Sequence, residues 1–140
     1  MQKYTVYTDG GARGNPGPAA IGIIIKSHEK TETYKEKIGI TTNNIAEYTA
    51  ILKAIEILEK KSKTCEIKVE FFLDSELVVK QLKGIYKIKN NELKKIHDEI
   101  KKFTKIIKNA EFTNIPREQN KEADALVNEA LDEEDEEKNK

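Results

Sequence analysis

The sequence predicts an α/β protein in which a five-stranded mixed sheet is flanked by helices, in the order βββαβααβα. Three observations predict it. Three runs rich in β-branched and aromatic residues open the chain, a pattern of helical period takes over at Asn43, and two more strand-like runs then alternate with helical segments. Consecutive strands with short connections make an antiparallel meander, and strands that return across a helix add to it in parallel.

The first strand is KYTVYTD (3–9), the second AAIGIIIKS (19–27), and the third TETYKEKIGI (31–40), which follows a turn at HEK. From Asn43, the residues Ile45, Tyr48, Ile51, Leu52, Ile55 and Leu58 recur at helical spacing, and TTNN supplies acceptors that suit a first turn, so a helix is expected over 43–61. EIKVEFFL (66–73) reads as a strand, and SELVVKQLKG (75–84) as a short helix closed by Gly84. NNELKKIHDEIKKF (90–103) places Leu93, Ile96, Ile100 and Phe103 on one stripe. NAEFTNI (109–115) is a short strand ending before Pro116, and QNKEADALVNEAL (119–131) is the last helix.

A chain of 140 residues suits one domain with a single core. Hydrophobic residues make up 37% and charged residues 36%, which is polar for a globular protein but short of disorder. The domain is read as 1–131, and the acidic tail 132–140, without apolar periodicity, is expected to be frayed or disordered.

Formal charge is zero but unevenly spread: six acids and two lysines lie in the tail, leaving 23 basic against 19 acidic residues before it. Residues 80–108 hold ten lysines against three acids, which attracts a polyanion if one face carries them and is otherwise a solvated helix. The lone cysteine, Cys65, excludes an internal disulfide and a cysteine-based zinc site, pointing to a reducing compartment. No apolar run approaches about 18 residues and the N-terminus shows no signal-peptide pattern, so a cytoplasmic location without a membrane partner is expected.

Four carboxylates stand where structure alone avoids them. Asp9 ends a strand of buried character, where a structural aspartate is more often a turn former or cap. Glu47 begins the stripe continued by Ile51, Ala54 and Leu58; the plain alternative is a first-turn glutamate favoured by the helix dipole. Asp74 follows VEFFL and precedes a helix, a common N-cap position. Asp124 lies in line with Val127 and Leu131, inside a helix, where aspartate has poor propensity. Such clusters bind hard divalent cations, and two ions about 4 Å apart can clamp both oxygens of an in-line phosphoryl displacement. Behind Asp9 comes a loop rich in glycine and proline, but its spacing fits neither GxxxxGK[ST] nor GxGxxG, which argues against a nucleotide-binding module.

The segments YTDGGARGNPGPAA, TTNNIAEYTAILKAIE, FLDSELVVKQLKG and PREQNKEADALVNEAL, in this order and spacing over residues 2–131, resemble the signatures of type 1 ribonuclease H. The resemblance implies a ribonuclease H-like fold and an endonuclease that hydrolyses the RNA strand of RNA/DNA hybrids, leaving 3′-hydroxyl and 5′-phosphate ends. It implies two Mg²⁺ ions, with Mn²⁺ as a substitute, held by Asp9, Glu47, Asp74 and Asp124. By the same analogy Asp9 bridges both ions, Glu47 and Asp74 complete the site of the nucleophilic water, and Asp124 serves the leaving-group side. Gly10, Gly11, Ala12, Arg13, Asn15, Thr42, Asn43, Asn44, Ser75 and Glu76 match positions that contact the hybrid; for the two paired asparagines helix capping is the alternative.

Two departures stand out. Many members carry a histidine before the last carboxylate, but TNIPREQNKEAD has none, and Arg117 is the nearest candidate for a catalytic assisting role. The short LKGIYKIKNNEL has no room for the long basic handle of some members; Lys80, Lys83, Lys87, Lys89, Lys94 and Lys95 are candidates to replace its pull on DNA. A superfamily member that has lost catalysis, or one acting on double-stranded RNA, is the alternative within the fold. A monomer is expected.

Overall fold

The computed structural model describes residues 2–61, 66–107 and 109–138; Cys65 lies outside them. Strands β1 (Gln2–Ala12), β2 (Gly17–Lys26), β3 (Thr31–Thr41), β4 (Ile67–Leu73) and β5 (Ala110–Asn114) form one sheet in the order β3-β2-β1-β4-β5. β1–β2 and β2–β3 are antiparallel, whereas β1–β4 and β4–β5 are parallel. The helices are α1 (Asn43–Lys61), α2 (Glu76–Leu82), α3 (Asn91–Ile106) and α4 (Lys121–Lys138). The expected element order and mixed sheet are those observed.

The pleat sorts side chains between two helical layers. Val6, Ile21, Ile23, Val69 and Phe71 point to the side of α1 and α3, where Tyr48, Ile51, Leu58 and Ile100 complete the main core. Ala20 points to the opposite side and packs with Val127, Ala130 and Leu131 of α4. β2, covered on both faces, is buried almost throughout, as its unbroken AAIGIII run requires. β3 is the edge strand and accordingly exposes much of its length.

Most element ends fall within about three residues of those read in the sequence, and two differences bear on the site. The stretch after Asp9 is a strand for three more residues: β1 pairs with β2 as far as Ala12↔Ala19, so the loop narrows to residues 13–16. Gly10 serves close packing there rather than turning. A Cβ on Gly10 would lie 2.3 Å from the Ala46 backbone of α1, and one on Gly22 2.3 Å from the Ala123 carbonyl of α4. The last helix begins at Lys121, after a 3₁₀ turn at Arg117–Asn120, and continues to Lys138 instead of ending at Leu131. Apolar periodicity stops at Leu131, but glutamate and lysine remain good helix formers, and Asp132 and Glu133 pair with Arg13 and Lys35.

Among the described residues, no helix is long and apolar enough to cross a membrane.

Candidate active site

The centre of the sheet opens where β1 and β4 part. Their pairing ends at Tyr7↔Phe72, and the next residues toward each C-terminal end include Asp9 and Asp74. The close approach of α1 at Gly10 brings Glu47 to Asp9 from one face, and the close approach of α4 at Gly22 brings Asp124 from the other. All four carboxylates line one open cavity, together with Gly10, Gly11, Ala12, Arg13, Asn43 and Arg117. Residues far apart in sequence thus meet at one cavity.

Charge accumulates there. Burial pushes the Asp9 carboxyl up to about 8, helped by the charge of Asp74, by hydrogen bonding and charge from Asp124, and by Glu47. Burial likewise raises Glu47 to about 7; the Ser75 hydroxyl opposes this and Asp74 adds to it. Glu47 Oε2 is buried and has no hydrogen-bond partner. A buried carboxylate oxygen left bare is costly, and the donor set around it is entirely hard oxygen. These residues therefore fit a divalent cation. Among the described residues no three His, Cys, Asp or Glu side chains are gathered at ligating spacing.

The surrounding loop is tied down by side chains. Asn43 Oδ1 accepts from the Ala12 N–H at 2.8 Å, and Asn15 Oδ1 accepts from the Asn43 N–H at 3.0 Å. Capping of α1 falls instead to Thr42, whose hydroxyl accepts from Ile45 N–H at 3.3 Å. Ser75 caps α2 through Val78 N–H while standing against Glu47.

Not every candidate lines the cavity. Asn44 is exposed outside it, and Glu76 is exposed and paired with Lys80 at 2.6 Å. Arg117 is exposed at the rim, on the 3₁₀ turn before α4. Sequence reasoning missed Asn128, which also lines the cavity; its spacing of four residues from Asp124 on a helix was the available signal. It missed a role for Asn120 as well, a buried polar residue one turn before Asp124.

A five-stranded mixed sheet with acidic residues gathered at the parted ends of its central strands is the architecture of ribonuclease H-like proteins. A family model described as reverse transcriptase-like matches residues 7–130. Among solved structures, LC11-RNase H1, isolated from compost by a metagenomic approach, is similar with a TM-score of 0.87 and 45% identity over 95% of this chain and 98% of that one. The structure of LC11-RNase H1 in complex with an RNA/DNA hybrid matches with a TM-score of 0.87 at 44% identity over 93% of this chain and 97% of that one. The ribonuclease HI of Halobacterium salinarum is 37% identical over 90% of this chain and 63% of that protein. A bifunctional protein of Mycobacterium tuberculosis is 32% identical over 93% of this chain but only 36% of its own length. The chain thus spans roughly one to two thirds of these curated relatives. It belongs to the type 1 ribonuclease H family.

Proposed function

We propose that the protein is an endonuclease that hydrolyses the RNA strand of RNA/DNA hybrids, leaving 3′-hydroxyl and 5′-phosphate ends. The observation that carries this reading is the convergence of Asp9, Glu47, Asp74 and Asp124 on one cavity, with a buried Glu47 oxygen that lacks a partner. Membership of the family and the hybrid complex of LC11-RNase H1 support the choice of substrate.

In this reading Asp9, Glu47, Asp74 and Asp124 would hold divalent cations, Mg²⁺ or Mn²⁺, with Glu47 and Asp74 serving the attacking water and Asp124 the leaving group. When bound, such ions acidify a water and neutralise charge on the phosphate. The chain's own contribution is placement. The oxygens of Asn15 and Asn43 are committed to backbone N–H groups, so each asparagine has N–H donors to offer a 2′-hydroxyl or base edge in the minor groove. Gly10, Gly11 and Ala12 line the same cavity beside Asp9 and put little side-chain bulk where a sugar-phosphate strand would lie. Arg117, at the rim, is always charged and cannot shuttle protons, so any assistance from it is electrostatic hold on the phosphate.

The test is cleavage of labelled RNA/DNA, RNA/RNA and DNA/DNA duplexes with and without Mg²⁺, for the wild type and Asp9→Asn. Cleavage of the RNA strand of the hybrid alone, lost on chelation and in the variant, is expected. Activity that survives in Asp9→Asn would remove the carboxylate site from the mechanism, and preferential cutting of RNA/RNA would replace the substrate.

A further inference from the structure

Asn120 is 1% exposed and stands 112 residues from the group it binds. Its side-chain N–H donates to the Thr8 carbonyl at 2.9 Å, while its Oδ1 is buried without a partner. Thr8, itself 2% exposed, immediately precedes Asp9 and lies one residue beyond the last β1–β4 pair, Tyr7↔Phe72. The amide therefore serves a backbone acceptor at the point where the ladder with β4 has stopped. Asn120 closes the 3₁₀ turn that leads into α4, four residues before Asp124. One hydrogen bond thus joins the strand that carries Asp9 to the helix that carries Asp124, a single residue from one and a single turn from the other.

We infer that Asn120 is a positioning residue that fixes Asp124 against Asp9, so that the two carboxylates grip a divalent cation together. This inference rests on the metal-dependent reading above. Buried carbonyls left unpaired are costly, so loss of the amide frees β1 and α4 to move apart or forces a new partner into the gap. Asn120→Asp is the sharpest probe: it keeps the size of the side chain but sets a carboxylate oxygen, an acceptor, against the Thr8 carbonyl, another acceptor.

The measurement is Mn²⁺ and Mg²⁺ binding to the substrate-free protein by titration calorimetry, followed by hybrid cleavage. Residues that hold metal ligands in place commonly change affinity or activity by about 10–100-fold when replaced. Asn120→Asp should therefore bind Mn²⁺ at least about tenfold more weakly and lower kcat similarly, with KM for hybrid changed less than about twofold. In an Asp124→Asn background the same substitution should add little, because both act through one ligand. Asn120→Ser, uncharged and small enough to admit a bridging water, should fall between wild type and Asn120→Asp, and it serves if the aspartate variant does not fold. Metal affinity within twofold of wild type in a folded variant would overturn the inference, as would equal losses with and without Asp124. If the wild type binds no divalent cation and leaves hybrid intact, the functional reading itself fails; if it does both and the variants match it, only the role of Asn120 fails.

Discussion

Asp9 combines half-burial with three acidic neighbours, and its consequence is a pH dependence opposite to that of most carboxylates. Its carboxyl is raised from 3.8 to about 8 and that of Glu47 from 4.5 to about 7. In the metal-free protein the folded state binds more protons than the unfolded state between about pH 4 and 8, so this contribution to stability is full below the window and lost through it. Metal-free wild type should unfold at progressively lower denaturant as pH rises from 4 to 8, and Asp9→Asn should flatten the profile. At pH 8 the variant should be more stable by roughly 1–3 kcal/mol, allowing for screening by the open cavity. Mg²⁺ should restore the wild type at pH 8 far more than at pH 5. A metal-free profile that rises with pH would contradict the coupling among these groups.

At the scale of elements, α1 was legible to the residue because its start and its stripe agree: TTNN supplies the capping hydroxyl of Thr42, and Ile51, Ala54 and Leu58 are fully buried. The three antiparallel strands are longer than expected, β1 most of all, because pairing continues where propensity fades, as at Gly10 and Gly11. Sequence reading assigned both glycines to a pliable loop; at Gly10 a close backbone approach leaves no local pattern, and only the placement of α1 reveals it. Gly10→Ala should be disruptive, because its Cβ would stand 2.3 Å from helix backbone rather than from a yielding side chain. A loss of roughly 2 kcal/mol or more is expected in chemical denaturation, in the range of overpacked core sites. Stability near that of wild type would mean that α1 stands farther from β1. The α4 extension was hidden for a different reason: Asp132 and Glu133 find Arg13 in the loop after β1 and Lys35 on β3, and ion pairs across 98 or more residues have no periodicity.

Across the whole molecule, the four carboxylates were readable singly only as ambiguities, and the topology turned them into one site. The lysines are less concentrated in effect than in sequence. Lys80 is paired with Glu76 and lies over the Tyr86 ring, whereas Lys83, Lys87 and Lys89 are exposed along the connection from α2 to α3. Replacing those three by alanine should weaken hybrid binding and flatten its dependence on salt, by roughly 0.9 in log–log slope for each phosphate no longer neutralised. An unchanged slope in a fluorescence titration would assign hybrid attraction elsewhere. His97, edge-on to Tyr48 and within 3.3 Å of the Gln81 carbonyl, belongs to the packing of α1, α2 and α3, in keeping with a structural histidine.

Gly10 and Gly22 admit a helix to each face of the sheet at the same level, with Asp9 between them. A cation seated there would act like a bolt through a three-ply board: it gathers one grip from the middle ply and one from each outer ply. Loosening any ply would then be felt as a weaker hold on the ion, and a well-seated ion would in turn stiffen all three.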